Sequence, residues 1–429
     1  MNFSFEKSGI LPQAEDMPIL ARAPRPLALD LTPAEVAAAC GHLPGRVFFD
    51  TALEGGEADR LSIVTAEPRE VIRGDGGNWG ALQEAVGRRA GGPHCDDGLP
   101  AGLAAGFAEY DGTYCFGIYE DVLIFRHAEQ RWYEVGDFAS RLRPGDDVPQ
   151  GSGPVFVPQM ARETYCQRVA RAQEYIAAGD IYQVNLAHRF VADWEGDAFA
   201  LYESLRHYSP APYGAFLDLD GRAILSTSPE SFLKISGRAI RTRPIKGTRP
   251  RRGEATADAL SAYDLRCSPK ETAELVMITD LERNDLGTIC EYGSVQVKEL
   301  LKLESYEHVF HLVSTVEGRL REEIDHVAAL RACFPGGSIT GAPKKRACEI
   351  IAELEPEPRG IYTGALGWFG FNGESQFNIA IRSVIVESGS AHFHVGAGIV
   401  ADSVPEKEWQ ETLDKAAGIL LAAERFGEA

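Results

Sequence analysis

The sequence predicts an α+β fold built on large antiparallel sheets. Three observations carry that prediction. Helical and strand patterns follow one another in mixed order, without the regular strand–helix–strand alternation of a doubly wound sheet. Short segments punctuated by Gly and Pro recur through residues 1–142. GAFLDLDGRAILSTSP reads as two strands joined at Asp220-Gly221, a dipeptide suited to a two-residue hairpin.

In chain order, RVFFDTAL, LSIVTAEP and DVLIFRH read as strands. RPGDDVPQGSGPVF (143–156), rich in Gly, Pro, Asp and Ser, reads as a linker or long loop. It separates an N-terminal half, 1–150, from a second region, 157–429. TYCQRVARAQEYIAAGD is an amphipathic helix with Gly179 as its C-terminal stop, and IYQVNLAHRFVAD follows as a strand. There is no internal repeat and no low-complexity tract.

The 429 residues are 44% hydrophobic, enough for one large core or two moderate ones. A formal net charge of −20 argues against a nucleic-acid partner. A local cluster of cations could still hold a small anion. The eight cysteines include no Cys-x-x-Cys pair, so they read as reduced thiols in a reducing compartment rather than a zinc site or disulfide framework. The N-terminal stretch lacks the cationic start and apolar run of a signal peptide. No run of about 18 apolar residues suggests a membrane span. The expected location is the cytoplasm.

Two carboxylate pairs stand out. In ETAELVMITDLERND (271–285), Glu271 and Glu274 share one helical face with Leu275 and Ile278. Ala273, Val276 and Met277 cover much of the remainder, so this helix is expected to be buried on several sides. Carboxylates there need a divalent cation or an arginine. The second pair lies in DSVPEKEWQETLDKAAGILLAAERF (402–426). Ser403 reads as its N-cap, with Glu406 completing a capping box after Pro405. Trp409, Leu413, Ala416 and Leu420 form an apolar stripe, with Glu408 and Glu411 opposite. That pair reads either as a solvated face, with Glu411 bridged to Lys415, or as half of a metal site. Converging pairs would present only hard oxygen ligands, which select magnesium.

Three further segments suggest anion binding. FPGGSITGAPKKRACEIIAELEP (334–356) runs from a glycine-rich turn into a helix, with Pro343 in the first turn. Its free amides could hold a carboxylate with help from the Thr340 hydroxyl, or it is an ordinary helix start. Gly396 and Gly398 interrupt an apolar strand and allow close approach to its backbone. Arg382 is a lone cation on the apolar strand FNIAIRSVIV and needs an anionic partner, from the protein or from a substrate. In the cationic run RTRPIKGTRPRR (241–252), Lys246 occupies the least polar part. Held near other cations and out of water, it would lose its proton readily and could act as a nucleophile.

The ordered blocks DIYQVNL, STSPESFL, RTRPIKGT, DLERNDLG, HLVSTVEG, FPGGSITGAPK, GIYTGALG, NIAIRS, GAGIVADS and EWQETLDKA resemble the chorismate-utilising enzymes from about Asp180 to Lys415. Residues 1–150 are similar more loosely, through FFDTAL and RLSIVTAEP. Within the family the chain most resembles the aminodeoxychorismate synthases, component I, because Lys246 stands in the Pro-Ile-Lys-Gly-Thr block where anthranilate synthases have alanine. Salicylate and isochorismate synthases carry a catalytic lysine at the position of Gln183 instead.

The resemblance implies an α/β sandwich of two intertwined halves, with large antiparallel sheets and outer helices. It implies that Lys246 attacks C2 of chorismate and that Glu230 serves as acid and base for the departing 4-hydroxyl and the incoming ammonia. His311 matches a histidine near the ring in pyruvate-eliminating relatives. Glu274 and Glu411 would be the principal magnesium ligands, with Glu271 and Glu408 close by. Arg382, Tyr362, Thr340 and the backbone of Gly396, Ala397 and Gly398 would bind the carboxylates, with Gln183 and Lys415 in the same substrate-binding set. Ammonia would come from a separate glutaminase partner.

A tryptophan pocket of the N-terminal half would be altered by Phe48-Phe49-Asp50-Thr51, where relatives have Leu-Leu-Glu-Ser. A fused lyase domain is not expected, since the chain ends soon after its last helix. Two alternatives remain: an anthranilate synthase component I, and a non-catalytic chorismate-binding regulator.

Overall fold

The computed structural model describes residues 23–52, 60–91, 98–144, 151–306 and 309–428. The N-terminal stretch read for a signal peptide, and 145–150 of the expected linker, lie outside them; 151–156 form no helix or strand. Among the described residues the strands form two antiparallel sheets, of 12 and 10 strands. Helices Pro33–Ala39, Ala198–Tyr208 and Pro405–Glu424 pack on the outer face of the larger sheet. Helices Gly80–Arg89, Pro269–Gly287 and His326–Cys333 cover the outer side of the smaller one. Between the sheets lies a core that joins Val47, Ile63, Leu217 and Ile385 of one to Phe107, Leu366 and Trp368 of the other. This is the sandwich that the mixed order of elements predicts.

Both sheets take strands from both sides of the 143–156 segment. Val47–Asp50 pairs with Tyr213–Leu219 in the larger sheet, and Leu103–Ala108 with Ala365–Gly370 in the smaller. The two halves are interleaved rather than laid side by side.

Local chemistry explains the punctuation. Asp220 and Gly221 both have positive φ, at 63° and 74°, as a type I′ hairpin turn requires. The helix Arg162–Ala177 ends in a Schellman motif: Gly179 has φ 82°, its N–H donates to the Ile176 carbonyl, and the Asp180 N–H donates to the Tyr175 carbonyl. The seven described cysteines are free thiols.

Two helix readings need correction. The Pro269–Gly287 helix is buried along one stripe only, through Leu275, Ile278, Thr279, Glu282 and Leu286, while Val276 is 43% exposed. It lies on a sheet with its other face open, so its apolar composition overstated its burial. In the Pro405–Glu424 helix the N-cap is Val404, without a side-chain cap. Ser403 instead donates its hydroxyl to Glu408 Oε1 at 2.7 Å, an inward contact that competes with capping.

Candidate active site

The site forms where the chain crosses from one sheet to the other. Glu230 lies between the strand Arg222–Ser228 of the larger sheet and Ser231–Ser236 of the smaller. Arg382 lies between Glu374–Ile379 of the smaller and Ser383–Glu387 of the larger. The two crossovers are tied together. The Ile379 N–H donates to the Glu230 carbonyl at 3.1 Å, and the Thr227 N–H donates to the Arg382 carbonyl at 3.0 Å. Arg382 has φ 50°, an uncommon conformation for a side-chain-bearing residue that its neighbours hold in place.

At this junction is a cavity of about 530 Å³. Its wall includes Glu230, Lys246, His311, Tyr362 and Arg382, and also Gly396, Gly398 and Lys415, together with Glu271, Glu274 and Glu411. Residues separated by more than 180 positions in the chain thus meet around one space large enough for a ring carrying two carboxylates.

Lys246 is aimed by its strand. Ile245–Pro250 pairs with Val309–Arg319, and the register slips between Lys246 and Thr248. Gly247 sits in that bulge with φ 71°; a Cβ there would fall 2.5 Å from Leu265 and 3.1 Å from the Glu271 carboxylate. The bulge lets Lys246, Gly247 and Thr248 all face the cavity. Lys246 Nζ donates to the Ser338 carbonyl at 3.2 Å.

The expected ring of cations around Lys246 is not what the fold builds. Arg243 pairs with Glu304, Arg251 with Asp258, and Arg249 with Asp264 and Glu271. The charges that act with Lys246 are the carboxylates of Glu230, Glu274 and Glu411. Strand alternation sends successive cations to opposite faces, which a linear run conceals.

Burial raises the pKa of Glu230 against the opposing pull of the Lys246 ammonium. His311 is held down to about 4 by burial and by the nearby Arg382, so it is a neutral imidazole at physiological pH. Its Nδ1 lies 3.1 Å from the Thr248 hydroxyl and 3.3 Å from the Gly247 carbonyl. Arg382 is partly buried, and desolvation lowers its pKa; among the described residues no carboxylate lies within ion-pair distance of it. Of the two partners the sequence left open, the protein carboxylate is absent among the described residues.

The two carboxylate pairs also converge. Lys270 Nζ lies 3.9 Å from Glu274 Oε1 and 3.5 Å from Glu408 Oε1, bridging one helix to the other. Glu408 is only 3% exposed and turns inward beside Thr412 and Ala416, so the solvated-face reading fails for it. Glu411 does make the ion pair to Lys415, at 2.8 Å; burial raises its pKa, but Lys415 and the other ammonium groups outweigh that and lower it. Glu274 Oε1 and Glu408 Oε2 are buried without a hydrogen-bond donor. Orphaned carboxylate oxygens and an all-oxygen donor set fit a hard divalent cation. Among the described residues no three potential ligands are drawn close enough to grip one ion, and the Lys270 ammonium stands as counter-charge.

Four residues are placed differently from the sequence reading. Thr340 is wholly buried and donates its hydroxyl to the Gly336 carbonyl at 3.0 Å, so it braces the glycine loop and does not line the cavity. Pro343 is the N-cap of Lys344–Leu354 rather than part of its first turn. Ala397 projects to the opposite face of its strand from Gly396 and Gly398 and packs in the core with Tyr165 and Ile350. Gln183 lies behind Gly398, where a Cβ would come 2.3 Å from its amide nitrogen, and it does not line the cavity.

The wall also contains Ser338 of the glycine-rich turn, and Lys270 and His394, which sequence reasoning passed over. For His394 a signal existed: it shares strand parity with Gly396 and Gly398.

The chain belongs to the chorismate binding enzyme family, which matches residues 101–421. It is 47% identical over 283 residues to anthranilate synthase component 1 of Streptomyces coelicolor, covering 66% of this chain and 55% of that protein. It is 44% identical over 297 residues to aminodeoxychorismate synthase component 1 of Bacillus subtilis, covering 69% of this chain and 62% of that one. The alignments thus span little more than half the length of these curated relatives. Among solved structures, anthranilate synthase component I from Streptococcus pneumoniae aligns with a TM-score of 0.75 at 31% identity, over 86% of this chain and 94% of that one.

Proposed function

We propose that the protein aminates chorismate to 4-amino-4-deoxychorismate, in the manner of an aminodeoxychorismate synthase component I, with ammonia from a glutaminase partner. The observation that carries this reading is Lys246, a primary amine facing the same cavity as Glu230 and the unpaired Arg382. Relatives of both the aminodeoxychorismate and the anthranilate type align well, so the overall likeness does not separate the two.

In the proposed sequence Arg382 and Tyr362 hold substrate carboxylates. Lys246 passes a proton to Glu230 and its amine forms a bond to C2, the ring double bonds shift, and the C4–O bond breaks. Glu230 gives that proton to the departing oxygen, which leaves as water. Ammonia then adds at C4, the double bonds shift back, and the C2–N bond breaks to restore the lysine. Glu230 takes up the proton lost by the incoming nitrogen.

Glu274 and Glu411, with Glu271 and Glu408 beside them, would hold magnesium in place of the Lys270 counter-charge. When bound, that ion supplies positive charge for a substrate carboxylate.

The deciding experiment is mass spectrometry of the protein with chorismate and magnesium but no ammonia. A chorismate-derived adduct on Lys246, lost in Lys246→Ala, is expected. With ammonium present the product should be 4-amino-4-deoxychorismate. Release of fluorescent anthranilate instead would establish the second reading, an anthranilate synthase component I. Chorismate binding without turnover, even with a glutaminase supplied, would establish a regulator.

A further inference from the structure

A second cavity, of about 150 Å³, lies behind the wall of the first. It is lined by Gln159 and Thr164 together with Arg168, Arg189 and His188. One residue lines both cavities: His394. Its imidazole stacks on Tyr362 of the first cavity, with ring centres 5.3 Å apart and an interplanar angle of 17°. His394 is 4% exposed, and neither ring nitrogen has a hydrogen-bond partner. In the second cavity His188 Nδ1 and Arg189 Nε are likewise buried and unpaired. Orphaned buried polar atoms are costly unless a small molecule satisfies them.

We propose that the second cavity is the inlet through which ammonia reaches the active site, with the His394 imidazole as the hand-over point between the two spaces. The inference rests on the aminating function proposed above. Its physical logic is selection by charge and size. Burial keeps His394 neutral, so one ring nitrogen donates and the other accepts. Neutral ammonia, which also does both, matches that pair. An ammonium ion meets Arg168 and Arg189 instead; of the two carboxylates in the wall, Glu355 is already committed to Arg359 at 2.7 Å, which leaves Glu357 against two guanidinium groups. The cavity is too small for chorismate, so the organic substrate must use the larger opening.

Gln159 and Thr164 line the second cavity only, away from the chemistry, and each can be replaced by a plug. In Gln159→Trp and Thr164→Trp the ammonia KM should rise at least about tenfold, with chorismate affinity within twofold of the parent. A second measurement does not depend on turnover. Selective ¹⁵N-histidine NMR at pH 8.5, with ammonium chloride titrated against potassium chloride, should shift the resonance that disappears in His394→Gln. The plugs should abolish that shift. An unchanged ammonia KM in both plugged variants, or no ammonia-dependent shift of His394 in the parent, overturns the inlet. Failure of the parent to form any amino product overturns the proposed function instead, and the NMR result then still decides whether ammonia enters this cavity.

Discussion

Glu282 is a single buried carboxyl whose behaviour follows from its surroundings. Burial raises its pKa to about 8; the Thr242 hydroxyl, donating to Oε2 at 2.7 Å, pulls the other way, and Glu230 and Asp285 add to the rise. The group is therefore protonated in the native state at neutral pH but ionised in the unfolded chain above its ordinary value of 4.5. Because the native state then holds the extra proton, stability falls as pH rises from about 4.5 towards 8. Glu282→Gln should remove this dependence. Denaturant melts should show the variant more stable than the parent at pH 8, by on the order of a few kcal/mol, and indistinguishable from it near pH 4. Gly247 makes a second case. Gly247→Ala places a methyl group 2.5 Å from Leu265 in a left-handed conformation, which should shift the bulge that aims Lys246. Loss of the Lys246 adduct with only a modest fall in melting temperature is the expected outcome.

At the scale of elements, the Pro269–Gly287 and Pro405–Glu424 helices are bridged by Lys270, which reaches both Glu274 and Glu408. If magnesium binds there, it should stabilise the native state by about 2.7 kcal/mol at a hundredfold excess over its Kd. A calorimetric scan with and without magnesium chloride measures this, and the double substitution Glu274→Gln, Glu408→Gln should erase the increment. A contrasting case is the turn after Lys344–Leu354. Arg359, 4% exposed, makes a two-pronged ion pair with Glu355 and donates to the carbonyls of Ile339 and Asn185. It thereby ties the glycine loop to the strand behind the cavity. Glu355→Gln leaves that guanidinium buried with its charge uncompensated and should cost roughly 3–5 kcal/mol, read in urea unfolding.

For the whole molecule, the interleaving of the sheets has a direct consequence. Neither half can complete a sheet alone, because Leu103–Ala108 is bordered by Ala365–Gly370, and Val47–Asp50 by Tyr213–Leu219. Residues 1–150 and 157–429 expressed separately should each lack a cooperative melt, while the intact chain should unfold without a stable half-folded intermediate. Much of this architecture was legible in advance. The Asp220-Gly221 hairpin, the Gly179 helix stop, the α+β class and the two Glu-x-x-Glu helices all rest on short-range chemistry: backbone dihedrals that only certain residues tolerate, and helical spacing. The family blocks likewise pointed to the cavity, and the eleven cavity residues described above as its wall come from eight separate segments of the chain. What only the tertiary structure decided is which face of each element looks inward and what it meets there. Glu408 and Glu411 share a helical face, yet one is buried and the other half-exposed, because Ser403 and Lys270 lie on one side and Lys415 on the other. Thr340 and Ala397 belong to blocks that border the cavity but turn away from it. The company of Lys246 was beyond the sequence for the same reason: its carboxylate neighbours come from distant segments, and only folding brings their charges within reach.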